Sequence, residues 1–236
     1  MRYIEHIVEP DRLLLSWQPP DGAERMRLFV AELLKNGDDA DLVYLTQSDD
    51  YTLARERGFR EYPGFSAAKE RHDNVLPGFL KRLPPRTRRD FGVYLNAIRI
   101  RPETAISDFA LLGYSGAKLP WDDFTIIHPF TSAQPPFELL VKVQGCRYLG
   151  DALQYEHLSV GMAAAFEEEP DNEKDPDAVR IMIAGRKIGY VPRGLATQVR
   201  QWTRNGFGMD ATLERINGSK EAPSLFLFLA VKSLAG

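Results

Sequence analysis

The chain has 236 residues, of which 44% are hydrophobic and 27% are charged, and its formal net charge is −3. This composition is typical of globular proteins, and the length fits one large or two small domains. A negative net charge excludes nonspecific wrapping of nucleic acid by the whole surface, so any such contact must come from a local patch. The single cysteine, Cys146, excludes an intrachain disulfide and a cysteine-rich zinc site.

The expected location is the cytoplasm, without membrane contact. A lone thiol suits a reducing compartment. The first residues lack the long apolar core of a signal peptide. The most hydrophobic stretch, residues 225–231, is too short to span a bilayer and predicts a strand.

The N-terminal half predicts a mixture of short strands and helices. Asn36-Gly37 lies between two apolar runs and favours a hairpin. Asp73-Asn74 is a candidate helix cap, and Pro84-Pro85 ends that helix and opens the next one. The strands are predicted at residues 12–17, 26–34, 42–45 and 125–127, and the helices from residue 51, at residues 75–83, from residue 85 to near residue 102, and at residues 108–112.

Residues 132–136, a small and proline-stiffened segment, predict a linker. After it the apolar period becomes two, which predicts six short strands interrupted by one helix at residues 194–204. The strands are predicted at residues 137–143, 162–166, 179–183, 187–191, 209–216 and 225–231.

The predicted fold class is therefore α+β. A mixed domain over residues 1–134 precedes a domain over residues 137–236. The second domain is expected to be a small six-stranded β-barrel with one or two helices, related in style to the OB-fold barrels that bind single strands.

Three segments of the C-terminal half resemble the HIRAN domain, a small module known for recognising DNA ends. They are Gly145-Cys146-Arg147-Tyr148, the acidic turn over residues 168–179, and the run Arg186–Arg193, which contains Gly-Tyr-Val-Pro. The resemblance covers residues 137–233. It implies a binding module for single-stranded DNA or a DNA 3′ end rather than a catalyst.

The resemblance also implies a set of ligand-binding residues. Asp175 matches an aspartate that reads the free 3′-hydroxyl of a DNA end in the fork-remodelling helicases. Lys174 stands where those proteins have a stacking aromatic residue, and a lysine there can instead neutralise a phosphate. Tyr190 occupies a place that can carry histidine, and it would shape the pocket.

Elementary chemistry supports three further candidates. Tyr148 offers a stacking face to an unpaired base, and Arg147 beside it can hold a phosphate. Arg193 opens the predicted helix, where an arginine favours anions. The alternatives are a half-buried Tyr148 with Arg147 reaching water along it, and plain turn chemistry for Asp171-Asn172.

A secondary basic patch consists of two groups of residues. In the predicted helix at residues 194–204, the cationic face opposes the apolar face, so it is expected to be free, either for a ligand or as an ordinary solvated surface. In the N-terminal half, seven basic residues between positions 81 and 101 either follow phosphates or pair with acids elsewhere. The patch comprises Lys81, Arg82, Arg86, Arg88, Arg89, Arg200 and Arg204.

The stretch from Leu42 to Leu112 weakly resembles the N-terminal subdomain of HipA-type toxin kinases, in which strands and aromatic residues precede a helix ending in a leucine-proline turn. This resemblance implies an alternative function, a protein-interaction or antitoxin-like regulator of such a kinase without DNA-end specificity. Under the first hypothesis, a partner protein is expected to supply helicase, nuclease or kinase activity, in DNA repair or phage defence.

No catalytic, metal or cofactor site is predicted. Residues 113–118 have the wrong glycine and lysine spacing for a phosphate-binding loop, and Ser115 lacks the pattern of a nucleophile elbow. The four histidines have no ligand spacing.

Overall fold

The computed structural model describes residues 2–20, 26–172 and 175–233. The chain divides into two compact units. One contains residues 8–94 and 102–132, and the other contains residues 1–7, 95–101 and 133–236. The C-terminal unit therefore includes two short segments from earlier in the chain. The single boundary predicted near residue 134 assigns both segments to the N-terminal domain instead.

The described part of the N-terminal half contains an antiparallel sheet and four short helices. The strands follow the order β4-β3-β2-β1-β5. The strands are β1 (Arg12–Trp17), β2 (Leu28–Asn36), β3 (Asp39–Tyr44), β4 (Arg71–His72) and β5 (Phe124–Ile127), and the helices are α1 (Asp49–Glu56), α2 (Leu76–Leu80), α3 (Phe91–Ala97) and α4 (Asp108–Ser115).

The hairpin predicted at Asn36-Gly37 joins β2 to β3. Asn36 pairs with Asp39 across the turn, and Gly37 has a φ of +60°, a left-handed conformation that costs little without a Cβ. Farther along the hairpin, Leu33 pairs with Leu42, and both are fully buried. The turn residues and the alternating burial thus agree in fixing the register.

The predicted cap of the next helix is wrong. Val75, which has no capping side chain, precedes α2, and Asn74 adopts a φ of +55°. The Asn74 N–H donates to Asp41 Oδ1 at 3.2 Å, so a β3 side chain fixes this turn. Serine caps occur instead at α1 and α4, where Ser48 and Ser107 accept from backbone N–H groups of the first turn.

The C-terminal half forms a six-stranded antiparallel sheet in the order β6-β11-β10-β7-β8-β9, so both sheets and the helices together confirm the α+β class. Two short 3₁₀ helices, at Cys146–Leu153 and Tyr155–His157, were not predicted. The remaining elements are β6 (Phe137–Lys142), β7 (Ala163–Glu168), β8 (Val179–Ile183), β9 (Arg186–Tyr190), α5 (Arg193–Arg204), β10 (Gly208–Gly218) and β11 (Pro223–Lys232).

The two edges of this sheet meet beyond the end of β6. Gln144 and Tyr190 exchange two backbone hydrogen bonds, each 2.9 Å long, in an isolated antiparallel bridge. Because β6 and β9 are the outermost strands of the sheet, the sheet curls until its edges touch here. A fully closed barrel remains a prediction.

Helix α5 packs its apolar face as the sequence predicted. Leu195, Val199 and Trp202 are buried, and the Trp202 ring lies edge-on to Phe137 with centroids 5.1 Å apart. With 12 residues, α5 is the longest helix in the described ranges. No helix there is both long and apolar enough to cross a membrane.

Candidate nucleic-acid interface

Residues 145–148 present an exposed tyrosine beside an arginine. Gly145 has a φ of +74° and precedes the first 3₁₀ helix, in which Cys146 points inward and Tyr148 points to solvent. The Tyr148 side chain is 69% exposed. The Arg147 guanidinium carbon lies 5.0 Å from the Tyr148 ring centroid, and Nη2 donates to the Tyr148 hydroxyl at 3.2 Å. The half-buried alternative for Tyr148 is therefore wrong.

Tyr190 lies directly beside this segment. The Tyr148 N–H donates to the Gly145 carbonyl at 3.0 Å, and a Cβ at Gly145 would be 3.4 Å from the Tyr190 ring. The Tyr190 hydroxyl accepts from Lys187 Nζ at 3.1 Å and from Asn172 Nδ2 at 3.4 Å. Because its hydroxyl is engaged within the protein, Tyr190 can contribute its ring as a wall beside Gly145.

Asn172 connects Tyr190 to Asp175. Its amide nitrogen donates to Tyr190 and to Glu169 Oε2, the latter at 2.8 Å, and its Oδ1 accepts from the Asp175 N–H at 3.1 Å. The Asn172 side chain thus fixes both the Tyr190 hydroxyl and the backbone of Asp175. The turn chemistry expected of Asn172 is present, and it also positions residues of the predicted site.

The Asp175 carboxylate lies against the start of α5. Its Oδ1 accepts from the Asp177 N–H at 3.0 Å, and its Oδ2 is 3.9 Å from Arg193 Nε. The Asp175 side chain is 25% exposed and that of Arg193 is 39% exposed. A hydrogen-bond acceptor and a cation therefore lie side by side at the surface.

Glu169 completes the polar cluster behind Tyr190. The hydrogen bond from the Asn172 amide holds the pKa of Glu169 below its ordinary value, and burial opposes this effect. The Tyr190 hydroxyl and the cations Lys187 and Arg180 lower this pKa further. A carboxylate held in its charged form keeps the donors of Asn172 and Tyr190 oriented.

The structure connects five of the six predicted contact residues. The Tyr148 N–H donates to Gly145, Gly145 lies beside the Tyr190 ring, and Asn172 joins Tyr190 to Asp175. Lys174 lies outside the described residues. The five are Arg147, Tyr148, Asp175, Tyr190 and Arg193.

The arginines at the end of α5 are not free, contrary to the sequence interpretation. Arg200 Nε lies 3.0 Å from Glu168 Oε2, and its Nη1 pairs with Asp177. Arg204 Nη2 lies 3.1 Å from the same Glu168 oxygen. Glu168 ends β7 beside α5, so two predicted phosphate ligands already have carboxylate partners.

The N-terminal part of the secondary basic patch is mostly paired as well, which favours the alternative of ion pairing with acids. Arg82 is buried and makes two hydrogen bonds to Asp122, 2.6 and 2.9 Å long, so it cannot contact a phosphate. Two more of these arginines have carboxylate partners, Arg86 with Asp108 and Arg88 with Asp90. Lys81 and Arg89 are exposed.

Sequence reasoning missed two residues of the site, Asn172 and Lys187. Both contact the Tyr190 hydroxyl. Asn172 lies in the acidic turn, where turn formation explains the presence of an asparagine equally well. Lys187 is three residues before Tyr190, so a regular strand would place the two side chains on opposite faces. The register irregularity between Ile181 and Met182 brings Lys187 to the face of the Tyr190 phenol.

Cys146 has a packing role. It is buried, its Sγ donates to the Pro223 carbonyl at 3.3 Å, and burial raises the pKa of its thiol. Within residues 2–20, 26–172 and 175–233, no cluster of three or more histidine, cysteine or acidic side chains has the geometry of a metal site.

Comparisons with known proteins bear on this region. Two solved structures are similar. The crystal structure of the HIRAN domain of human HLTF is 20% identical and covers 40% of this chain and 74% of its own, with a TM-score of 0.33. A protein from Lactobacillus plantarum is 24% identical and covers 39% of this chain and 91% of its own, with the same TM-score. Among curated proteins, no significant match is found. Residues 136–230 match the family model of the HIRAN domain, a type of module known for binding nucleic acid, and this match confirms the resemblance of this region to that family.

Proposed function

We propose that the C-terminal unit binds single-stranded DNA and recognises a free 3′ end. The observation that carries this proposal is the exposed ring of Tyr148 beside the Arg147 guanidinium. An exposed aromatic ring is a platform for an unpaired base, and an adjacent arginine can hold the phosphate. A tyrosine in this position is not needed for the core, since its side chain is 69% exposed.

The neighbouring groups support recognition of an end. Asp175 supplies an acceptor for a sugar hydroxyl, and Arg193, 3.9 Å away, supplies a cation for the preceding phosphate. A carboxylate repels a 3′-phosphate, so this pair favours a free 3′-hydroxyl. The ring of Tyr190 would form the wall between this pair and Tyr148.

The biological role belongs to the same proposal. The chain would act in the cytoplasm as a binding module without catalytic activity of its own, in DNA repair or phage defence. A partner protein would supply helicase, nuclease or kinase activity.

Fluorescence anisotropy with short labelled oligonucleotides tests the proposal. Tyr148→Ala is expected to weaken single-strand binding by about 1–3 kcal/mol, because it removes the stacking face. Tyr148→Phe keeps that face and is expected to bind within about threefold of the original protein, given the small value of one exposed hydrogen bond. Equal affinity of a folded Tyr148→Ala variant would contradict the assignment.

The ligand set in the same experiment distinguishes the modes of binding. It compares a single strand with a free 3′-hydroxyl, the same strand with a 3′-phosphate, a blunt duplex and RNA, each at two salt concentrations. Preference for the free 3′-hydroxyl supports the role of Asp175. Equal binding of both 3′ ends would restrict the proposal to general single-strand binding.

One observation favours the alternative function, a protein-interaction regulator of a HipA-type kinase. Trp121 in the N-terminal unit is 78% exposed. It precedes Asp122. The Arg82 guanidinium donates hydrogen bonds to Asp122 and to the carbonyls of Ala117 and Phe124, which fixes this loop. A tryptophan on a fixed loop is typical of a protein-binding hot spot. Co-purification with a kinase-type partner, lost in Trp121→Ala, together with no retention on DNA, would place this function first.

A further inference from the structure

A cation–aromatic–cation row crosses the outer face of the C-terminal sheet. Phe226 on β11 pairs in register with Lys142 on β6 and with Arg215 on β10. The residues next to Phe226 in the chain, Leu225 and Leu227, are fully buried, so the alternation of the strand directs Phe226 to the other face. Phe226 and Arg215 are partly exposed there and Lys142 is exposed.

Both cations of this row face the aromatic ring. Lys142 Nζ lies 5.8 Å from the Phe226 ring centroid, and the Arg215 guanidinium carbon lies 5.4 Å from it. Arg215 Nη2 also donates to the Ala97 carbonyl at 2.7 Å, which fixes the guanidinium. Among the residues that the structure describes, neither cation has a carboxylate within ion-pair distance.

The lack of a described carboxylate partner sets Lys142 and Arg215 apart from the two arginines at the end of α5. Arg200 and Arg204 share the carboxylate of Glu168, so a phosphate would have to displace a partner. Lys142 and Arg215 require no such displacement. Their positive charge is available to a ligand at the sheet surface.

The row lies next to the candidate interface. Gln144, which pairs with Tyr190, is two residues beyond Lys142, and alternation places both side chains on the outer face. Two residues along a strand span about 7 Å, and neighbouring strands are about 5 Å apart. A single strand that leaves the Tyr190 pocket can therefore reach Phe226 within a few nucleotides.

We propose that Lys142, Phe226 and Arg215 form a second subsite for single-stranded nucleic acid, which takes a base on Phe226 and phosphates on the two cations. This proposal rests on the proposed function of the neighbouring pocket. The chemistry is the same as in general single-strand binding, in which aromatic rings stack bases and cations follow the backbone. The subsite would be indifferent to sequence and to the identity of the 3′ end.

Oligonucleotide length separates the subsite from the pocket. A strand of about 4 nucleotides would fill the pocket alone, whereas one of about 12 would cover both, in line with single-strand-binding barrels that cover about 4–16 nucleotides. The variants are Phe226→Leu, which removes the stacking face but keeps an apolar side chain, and Lys142→Gln, a surface change. Lys232→Gln is the matched control, because it makes the same charge change at the far end of β11.

The expected result is a loss that depends on length. Phe226→Leu is expected to weaken binding of the long strand by about 5- to 20-fold, the lower part of the range for base stacking. Lys142→Gln is expected to reduce the slope of log K against log salt by about 0.7, the value for one phosphate contact on a single strand. The short strand, and the Lys232→Gln variant with either strand, are expected to behave as the original protein does.

Two outcomes overturn the proposal, and they differ in what else they affect. If the original protein binds both strands and neither variant changes the long one, the cations only cover the ring, and the proposed function stands. If the original protein binds neither strand, the proposed function fails and the subsite fails with it. Thermal unfolding of each variant shows whether it is folded, and Lys142→Gln decides the question if Phe226→Leu is not.

Discussion

At the scale of single residues, a positively charged side chain has different roles in different surroundings. Arg82 and Arg147 are the same residue type, and both were candidates for phosphate contact. Arg82 is buried against Asp122, so it stabilises a loop, whereas Arg147 is exposed beside Tyr148. A buried pair of this kind is costly to break, because the remaining charge has no partner. The ligand-binding potential of an arginine is therefore set by its nearest carboxylate.

His128 carries a prediction about pH at this scale. Its ring is stacked on Phe130 with centroids 3.7 Å apart, Nδ1 accepts from the Phe130 N–H at 2.9 Å, and Nε2 lies 3.0 Å from the Val8 carbonyl. These partners require a neutral ring with its proton on Nε2. Burial lowers the pKa of His128 from 6.5 to about 4, although the Val8 bond and the charge of Glu9 oppose the shift.

The direction of the change in stability with pH follows from the lower pKa of His128 in the folded chain. Below pH 6.5 the unfolded chain takes up a proton at His128 and the folded chain does not, so stability is lost as the pH falls from 6.5 to about 4. The expected loss from this residue is about 3 kcal/mol. Urea unfolding across this range, compared with His128→Gln, measures the contribution. An NMR titration of the ring follows the pKa directly, and an ordinary value near 6.5 would contradict the prediction.

At the scale of elements, the contact between the sheet edges depends on one glycine. Gly189 has a φ of +146°, and a Cβ there would overlap the Gln144 carbonyl oxygen and the Val143 side chain. Among the residues that the structure describes, its neighbour Tyr190 makes the only bridge between the two edges of the sheet. Close approach of two backbones at this position therefore requires glycine.

Gly189→Ala is expected to destabilise the C-terminal unit by about 1–3 kcal/mol, since it adds both backbone strain and overpacking. The amide of Gln144 should lose protection in hydrogen exchange, because the bridge opens. Gly185→Ala is the control, since Gly185 has a φ of +76° but no atom within 4 Å of an added Cβ. Equal protection of the Gln144 amide in the two variants would show that close approach is not what requires the glycine.

Much of the element order could be predicted from the sequence, because period and turn chemistry are local signals. The strands β1 and β8 begin and end at the predicted residues 12–17 and 179–183. Two residues are too few to show a period, so β4 was missed. The 3₁₀ helix at Cys146–Leu153 was missed as well, because it is kinked at Gly150 and lacks the regular 3.6-residue repeat.

Candidate contact residues could be proposed from the sequence in two ways. Tyr148 and Arg193 were proposed through their own chemistry, since an aromatic ring and an arginine can bind without intermediaries, and Asp175 and Tyr190 were proposed through the HIRAN resemblance. Asn172 acts through its contacts with Tyr190 and Asp175, which depend on the folding of the acidic turn against β9. The pairing of Arg200 with Glu168 joins residues 32 positions apart, and no local pattern indicates it.

At the scale of the whole molecule, the division into units bears on where the C-terminal module begins. Arg99 lies in one of the two early segments of the C-terminal unit, and its Nε lies 2.8 Å from Glu214 Oε1. Both side chains are less than one-tenth exposed. Glu214 lies at the irregularity of β10 between Leu213 and Arg215. A fragment that begins at the linker would leave this carboxylate without its cation.

Arg99→Met is therefore expected to destabilise the C-terminal unit by about 3–5 kcal/mol, because an unpaired carboxylate would remain in a buried position. Arg101→Met is the control in the same segment. Its partner Glu5 is 3.8 Å away and both side chains are about half exposed or more, so the expected change is at most about 1 kcal/mol. Urea unfolding of the full chain measures both variants. A fragment of residues 133–236 should unfold at the lower denaturant concentration of Arg99→Met, since it lacks the same guanidinium. A fragment as stable as the unit in the full chain would show that residues 95–101 are dispensable and that the module begins at the linker.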